Sequence, residues 1–173
     1  GKQNPGKLVF ATTGNWGATM TPGARVLLKA GVDATYIPYK GGGPAMQALL
    51  SGDAEVTMGF PSTLSALLDA GKVKILATAG EERIYDDVPS FAELNIGGDV
   101  GFMHRVVLAP AGTPDDVLEK LAEAFTALQE DKTYKNMMGR LGENTDYISG
   151  GEYQAMREGQ NAAYKDLVDS ITK

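Results

Sequence analysis

Two patterns of apolar residues follow one another over the first 80 residues. Short apolar runs, which are typical of buried strands, lead into glycine-containing turns and then into stretches with apolar residues at helical spacing. Strands that alternate with short helices indicate βαβ units with parallel strands and right-handed crossovers. We therefore expect an α/β fold with a parallel sheet. The expected strands lie near 8–12, 35–39, 54–58 and 73–78, and the expected helices near 21–30, 44–51 and 61–70.

Three turns follow the first three predicted strands, at 13–17, 40–43 and 59–61. The carboxyl ends of parallel strands meet at one edge of a sheet, and ligands bind beyond that edge. The turns also precede predicted helices, whose first N–H groups and dipole both favour an anion. The first half of the chain therefore predicts an edge that accepts anions.

The chain changes character near residue 100. An apolar run at 105–109 predicts one more strand, and the remainder reads as helical, with a helix start at the Thr-Pro pair 113–114 and a capping box at Ser149 and Glu152. Burying a helix stripe of six apolar side chains contributes on the order of 10 kcal/mol, which is too much to leave in water. We therefore expect this segment to pack on strands outside the chain or on a second copy of it.

Composition narrows the classes of function. The net charge of −6 argues against a nucleic-acid partner, which needs a concentrated basic face. The chain has no cysteine, so disulfides, thiolate metal sites and cysteine nucleophiles are excluded. His104 is the only histidine, and no G-x-S-x-G turn presents a serine to it. We expect no metal site, no cofactor and no catalysis, and a structural role for His104.

A set of short segments in a fixed order gives the chain a resemblance to a known family. In order they are PGKL at 5–8, TGN at 13–15, IPYKGGGPA at 37–45, LLSGD at 49–53, AGKVKILA at 70–77, DVPSFAE at 87–93 and LAPAGTP at 108–114. Together they resemble the solute-binding receptors of tripartite tricarboxylate transporters, over nearly the whole chain.

The resemblance implies a type II periplasmic-binding-protein-like fold, in which two α/β domains enclose a ligand cleft. Residues 1–102 would form the second domain, and residues 103–173, one strand plus helices, would return to a first domain whose N-terminal half is absent. The implied protein is an exported, periplasmic receptor, here as a fragment without its signal peptide. It would capture a small organic carboxylate and deliver it to a membrane permease. Its other partner would be the missing half-domain or a second copy of the chain, which would make a dimer.

The first turn is the main candidate for the ligand, because its amides precede a helix and can hold a carboxylate. The alternative is that its glycines only form a tight turn. The family commonly has glycine where Trp16 stands, and a polar residue, often histidine, where Met20 stands. Trp16 and Met20 would both make the wall of the ligand pocket larger and more apolar. They suggest a ligand with an apolar or aromatic part beside its carboxylate, unless Trp16 packs on the missing domain.

The expected ligand-binding residues come from all three turns. A second function stays open, that of a cytosolic α/β enzyme acting on a small phosphorylated substrate at Gly14 and Lys40. The 40–43 turn lacks the spacing and the Lys-Ser/Thr ending of a P-loop, however. The first turn contributes Thr13, Gly14, Asn15, Trp16, Gly17, Ala18, Thr19 and Met20, and the other two contribute Tyr39, Gly41, Gly59 and Phe60.

Overall fold

The computed structural model of the chain describes residues 1–96, 104–141, 143 and 145–171. The chain forms two compact units, Gly1–His104 and Arg105–Lys173. The boundary expected between residues 102 and 103 lies outside the described residues, and the assignment of the two segments to two receptor domains stays a prediction. In the part of the chain that the structure describes, no helix combines the length and the apolar character needed to cross a membrane.

The first unit contains a parallel sheet of three strands, in the order β2-β1-β3. This arrangement confirms the predicted α/β class. The central strand β1 pairs with β2 along its whole length, from Leu8 opposite Ala34 to Thr12 opposite Pro38. The elements are β1 (Leu8–Thr12), α1 (Met20–Lys29), β2 (Ala34–Pro38), α2 (Gly42–Ser51), β3 (Val56–Thr57) and α3 (Pro61–Asp69).

Strand β1 is buried because helices cover both of its faces. Ala11 packs in a cluster of small residues with Ala45 and Ala48 of α2. Successive side chains of a strand point to opposite faces, and Phe10 accordingly packs on Gly23 of α1. The core of the first unit is therefore a thin layer on each side of one strand.

The strand predicted near 73–78 is wrong. Residues 73–77 have no regular structure, and a single bridge joins Thr78 to Ser90. A strand needs a neighbour to hold its hydrogen bonds, and β3 is only two residues long. Leu76 consequently stays largely exposed.

The segment after Thr78 is held by a turn with two reciprocal hydrogen bonds between Ser90 and Glu93, in which each backbone N–H donates to the other side chain. The Ser90 N–H donates to Glu93 Oε2 at 2.8 Å, and the Glu93 N–H donates to Ser90 Oγ at 3.2 Å. Arg83 Nε donates to both carboxylate oxygens of Glu93, at 3.0 and 2.9 Å, and this bond holds the pKa of Glu93 below its usual value. The turn places Phe91 against Val26 of α1, so the segment closes over that helix.

The second unit is helical in its described part, with α4 (Asp115–Leu128), α5 (Lys132–Arg140) and α6 (Gly150–Ile171). The strand expected at 105–109 is wrong, because no described residue of this unit forms a strand that could pair with it. Val107 is 71% exposed and Leu108 is 84% exposed.

The ends of the helices in the second unit test two predicted caps. Ser149 and Glu152 form the predicted capping box at α6, since each backbone N–H donates to the other side chain, at 3.1 and 3.4 Å. The cap predicted at Thr113 is wrong. The Thr113 hydroxyl donates to the Pro110 carbonyl at 2.8 Å. Helix α4 begins at Asp115, one residue later than predicted, and Pro114 is its N-cap.

The apolar stripe of α4 is exposed within this unit. Helix α4 has no buried residue, although its sequence is strongly amphipathic. Helix α4 therefore presents the exposed apolar surface that we expected from the sequence to pack on strands outside the chain or on a second copy. Its large members are Val117, Leu118, Leu121 and Leu128, each between 38% and 43% exposed.

The contact between α1 and β1 leads to a prediction for Gly23. A Cβ at this position would lie 3.0 Å from two ring carbons of Phe10 and closer still to Cζ. We expect Gly23→Ala to lower the free energy of unfolding by about 1–3 kcal/mol, because the buried ring has to move. Urea denaturation followed by far-ultraviolet circular dichroism measures the change.

Gly43 of α2 provides the matched control, because a Cβ there meets nothing within 4 Å. Gly43→Ala is expected to leave stability unchanged or to raise it by less than about 1 kcal/mol through helix propensity. Equal stability of the two variants would contradict the predicted close packing of α1 on β1.

Candidate functional site

The three turns that follow β1, β2 and β3 lie at one edge of the sheet. The strands are parallel, and the register sets Thr12 opposite Pro38 and Ala11 opposite Thr57, so the strands end at nearly the same level. The Tyr39 N–H donates to the Thr12 carbonyl at 2.8 Å, which extends this alignment into the second turn. The expected juxtaposition of the three turns at the carboxyl edge is therefore present.

The first turn is closed by two threonines at its ends. The Thr13 N–H donates to Thr19 Oγ1 at 2.8 Å, and the two hydroxyls share a hydrogen bond of 3.0 Å. Thr19 is buried, and its side chain makes no capping bond to α1. The two hydroxyls thus hold the shape of the turn, a role that the sequence did not reveal. Whether they also contact a ligand stays a prediction.

Between those two threonines, the turn presents backbone N–H groups that the protein itself does not use. Among the described residues, the N–H groups of Gly14, Asn15 and Ala18 donate to no protein acceptor. Gly14 has a φ of +123°, and a Cβ built on it would meet nothing within 4 Å. The backbone is therefore open to the approach of an anion at this point.

Trp16 occupies the middle of the turn with an unusual backbone conformation. Its φ is +54°, a left-handed value that bulky residues rarely adopt. Its N–H donates to the thioether sulfur of Met20 at 3.1 Å, and its carbonyl accepts a hydrogen bond from Thr21 Oγ1 at 3.2 Å. Met20 is buried, whereas Trp16 is 37% exposed. This use of a methionine sulfur as an acceptor has no signal in the sequence.

The second turn uses the backbone groups of Gly41 within the protein. Gly41 is the N-cap of α2, has a φ of +103° and leaves open space where a Cβ would be. Its N–H donates to the Tyr39 carbonyl at 2.9 Å, and its carbonyl accepts a hydrogen bond from the Ala45 N–H at 3.3 Å. Tyr39 is half-buried and packs against the small-residue cluster of Ala11 and Ala45. Ligand contact by Tyr39 and Gly41 stays a prediction.

The third turn is more closed than the other two. A Cβ at Gly59 would lie 3.0 Å from Leu64 Cδ2, so packing alone favours glycine at this position. The Phe60 N–H donates to Thr63 Oγ1 at 3.3 Å and is engaged in capping α3. Ligand contact by Gly59 and Phe60 stays a prediction, with less unused backbone than in the first turn.

The described residues give no sign of a metal centre, since no group of three or more histidine, aspartate or glutamate side chains is placed to hold an ion there. The chemistry that this edge offers is hydrogen bonding by backbone amides, at the ends of strands and before helices. This chemistry suits binding of a small anion.

The family model described as "Tripartite tricarboxylate transporter family receptor" matches residues 1–172. A curated relative, the UPF0065 protein in gbd 5'region of Cupriavidus necator, is 30% identical over 154 residues, which are 88% of this chain and 46% of the relative. The chain thus spans about half the length of the curated relatives it matches.

Solved structures of similar proteins agree with the fold. A TctC solute binding protein from Polaromonas, solved with no ligand, aligns with a TM-score of 0.76 at 28% identity, over 98% of this chain and 58% of that one. Rpa4515 of R. palustris with adipate gives 0.79 over 97% and 57% of the two chains. MatC from Rhodopseudomonas palustris with bound malate gives 0.73 over 94% and 57%. The last two are each 22% identical to this chain and support the fold alone.

The match of the family model to residues 1–172 covers both units of the chain. The family match therefore extends over the whole set of segments that suggested the resemblance and does not depend on a single motif. The chain belongs to the tripartite tricarboxylate transporter receptor family.

Proposed function

We propose that this chain is part of a solute-binding receptor that captures a small organic carboxylate and delivers it to a membrane transporter. The observation that carries the proposal is the set of unused N–H groups of Gly14, Asn15 and Ala18 in the first turn, in a chain of this family. Two structural neighbours, which bind adipate and malate, are in keeping with a carboxylate as ligand. The receptor itself performs no chemical reaction.

The first turn would hold the carboxylate group by charge-assisted hydrogen bonds. Hydrogen bonds from N–H groups to a carboxylate are shorter and stronger than those to neutral acceptors. Helix α1 follows directly, and the partial positive charge at its N-terminus adds to the attraction. The Asn15 side chain is exposed in the same turn and can donate a further bond. A negatively charged protein can bind an anion in this way because the donors are local dipoles.

The remaining parts of the receptor follow from membership of the family. Residues 1–102 would form one wall of a ligand cleft, and residues 103–173 would belong to the opposing domain. Closure of the two walls around the ligand would then give the transporter a ligand-bound shape to recognise. The location that fits this role is the periplasm, as for the related periplasmic binding protein BugD.

The exposed stripe of α4 would be covered in the working protein by the other half of its domain or by a second copy of this chain. Four large apolar side chains of one helix are 38–43% exposed in the second unit, and Val107 and Leu108 are exposed as well. Exposed apolar side chains that are grouped along one helix face are typical of a protein interface.

This cover can be tested by sedimentation. The 173-residue chain alone is expected to self-associate in analytical ultracentrifugation and to bind a hydrophobic dye, because its apolar stripe has no cover. Replacing Leu118 and Leu121 by serine should reduce both effects, whereas replacing the exposed Lys120 by serine should change neither. A cleanly monomeric chain that binds no dye would contradict the proposed cover.

Carboxylate binding is tested with the natural, full-length protein by calorimetry and thermal shift. We expect succinate, adipate or malate to stabilise it, by about 2.7 kcal/mol at a concentration of 100 times Kd. Succinamide, which has the same shape without the charges, should not bind. Stabilisation by sugar phosphates with no response to any carboxylate contradicts the proposal and favours an enzyme of phosphorylated substrates.

The threonine closure of the first turn gives a mutational prediction. Thr19→Val keeps the shape of the side chain but leaves the Thr13 N–H without its acceptor. We expect the free energy of unfolding to fall by about 1–3 kcal/mol and the carboxylate affinity to fall with it, because the row of amides loses its fixed geometry. Urea denaturation and calorimetry measure the two effects.

Thr35→Val is the matched control, since Thr35 is exposed and its hydroxyl donates to the Gly6 carbonyl at 2.8 Å, away from the carboxyl edge. It is expected to change stability by less than about 0.5 kcal/mol and to leave binding unchanged. If Thr19→Val binds the acid as tightly as the natural protein, the closure is not needed for the site.

A further inference from the structure

The position of Trp16 in the candidate site is maintained at a conformational cost. A left-handed φ crowds the Cβ of any residue except glycine, and the φ of Trp16 is +54°. Residues in such conformations persist where the surrounding structure determines them. Here the hydrogen bonds to Met20 Sδ and from Thr21 Oγ1 fix the backbone of Trp16 on both sides.

Trp16 stands in the chain between the unused amides. Gly14 and Asn15 precede Trp16 and Ala18 follows it two residues later, and the N–H groups of these three residues donate to no acceptor among the described residues. A carboxylate held by them would therefore lie beside residue 16. Trp16 is 37% exposed in the described structure, so it has accessible apolar surface at this edge of the first unit.

We propose that Trp16 determines specificity, by favouring carboxylates that carry an apolar or aromatic body over small polar ones. This inference rests on the proposed carboxylate function of the same turn. An indole face offers a large rigid surface to an apolar or aromatic group, and such surfaces line most small-molecule sites. Met20 acts as a positioning residue, because its sulfur accepts the backbone N–H of Trp16 at 3.1 Å and constrains the backbone that carries the ring.

The test compares two acids that differ by one phenyl group, succinate and phenylsuccinate, in calorimetry with the natural, full-length protein. We expect phenylsuccinate to bind at least about tenfold more tightly, a factor ordinary for added apolar contact in a pocket. Trp16→Gly relieves the left-handed conformation and should fold well. It is expected to bring the ratio of the two affinities close to one, because it removes the apolar surface that the phenyl group would contact.

Two further variants separate the ring from the turn. Trp16→Phe keeps an aromatic face and should retain most of the preference. Met20→Leu keeps the volume but removes the sulfur acceptor, and it should lower the ratio without abolishing succinate binding. Trp16 is the only tryptophan of the 173 residues, so in this chain its fluorescence should respond to phenylsuccinate more than to succinate.

The outcomes distinguish this inference from the function on which it rests. If succinate binds but phenylsuccinate is not preferred, or if Trp16→Gly keeps the full preference, the proposed role of Trp16 is wrong and the carboxylate function stands. If neither these acids nor adipate or malate binds to the natural protein, the carboxylate function is wrong and the role of Trp16 is wrong with it.

Discussion

The candidate site depends on the pairing of β1 with a neighbour on each side. Strand β1 bonds to β2 over five residues and to β3 over two, all in parallel. Because its hydrogen-bonding groups are used on both edges, the positions of the three following turns are set by one register. Small residues on one face admit α2 closely, and Phe10 on the other face meets the glycine of α1. The folded sheet alone therefore determines where the three turns lie.

The first turn receives its shape from bonds that begin at this strand. Thr12 is fully buried, and its hydroxyl donates to the Gly14 carbonyl at 3.1 Å, while the next residue bonds to Thr19. These bonds fix carbonyl and hydroxyl groups of the turn, and among the described residues they leave the N–H groups of Gly14, Asn15 and Ala18 without protein acceptors. A site that is ordered in advance loses less conformational entropy on binding than a flexible loop. The turn therefore combines rigidity with unused donors.

The sequence predicted the features that depend on local patterns. Helices α1 to α3 and the turns between them follow from apolar spacing and from glycines such as Gly41 and Gly52, which take left-handed or open conformations. The strands expected at 73–78 and 105–109 failed because pairing depends on distant neighbours, which a local apolar run does not reveal. The cap at Thr113 failed for a different, local reason, since its hydroxyl donates to the Pro110 carbonyl and Pro114 is the N-cap of α4.

The same distinction applies inside the candidate site. Glycine and asparagine in the first turn were visible as turn residues. Met20 was expected to form an apolar part of the ligand site, and no residue pattern indicated that its sulfur would accept a hydrogen bond. Its contact with the Trp16 N–H appears only when the chain is folded. The two parts of the proposed site therefore have separate origins, the amides in the backbone of the turn and the apolar surface in one side chain. Under the proposal, a change at residue 16 would alter which acid is favoured, while the backbone groups proposed to hold the carboxylate would stay available.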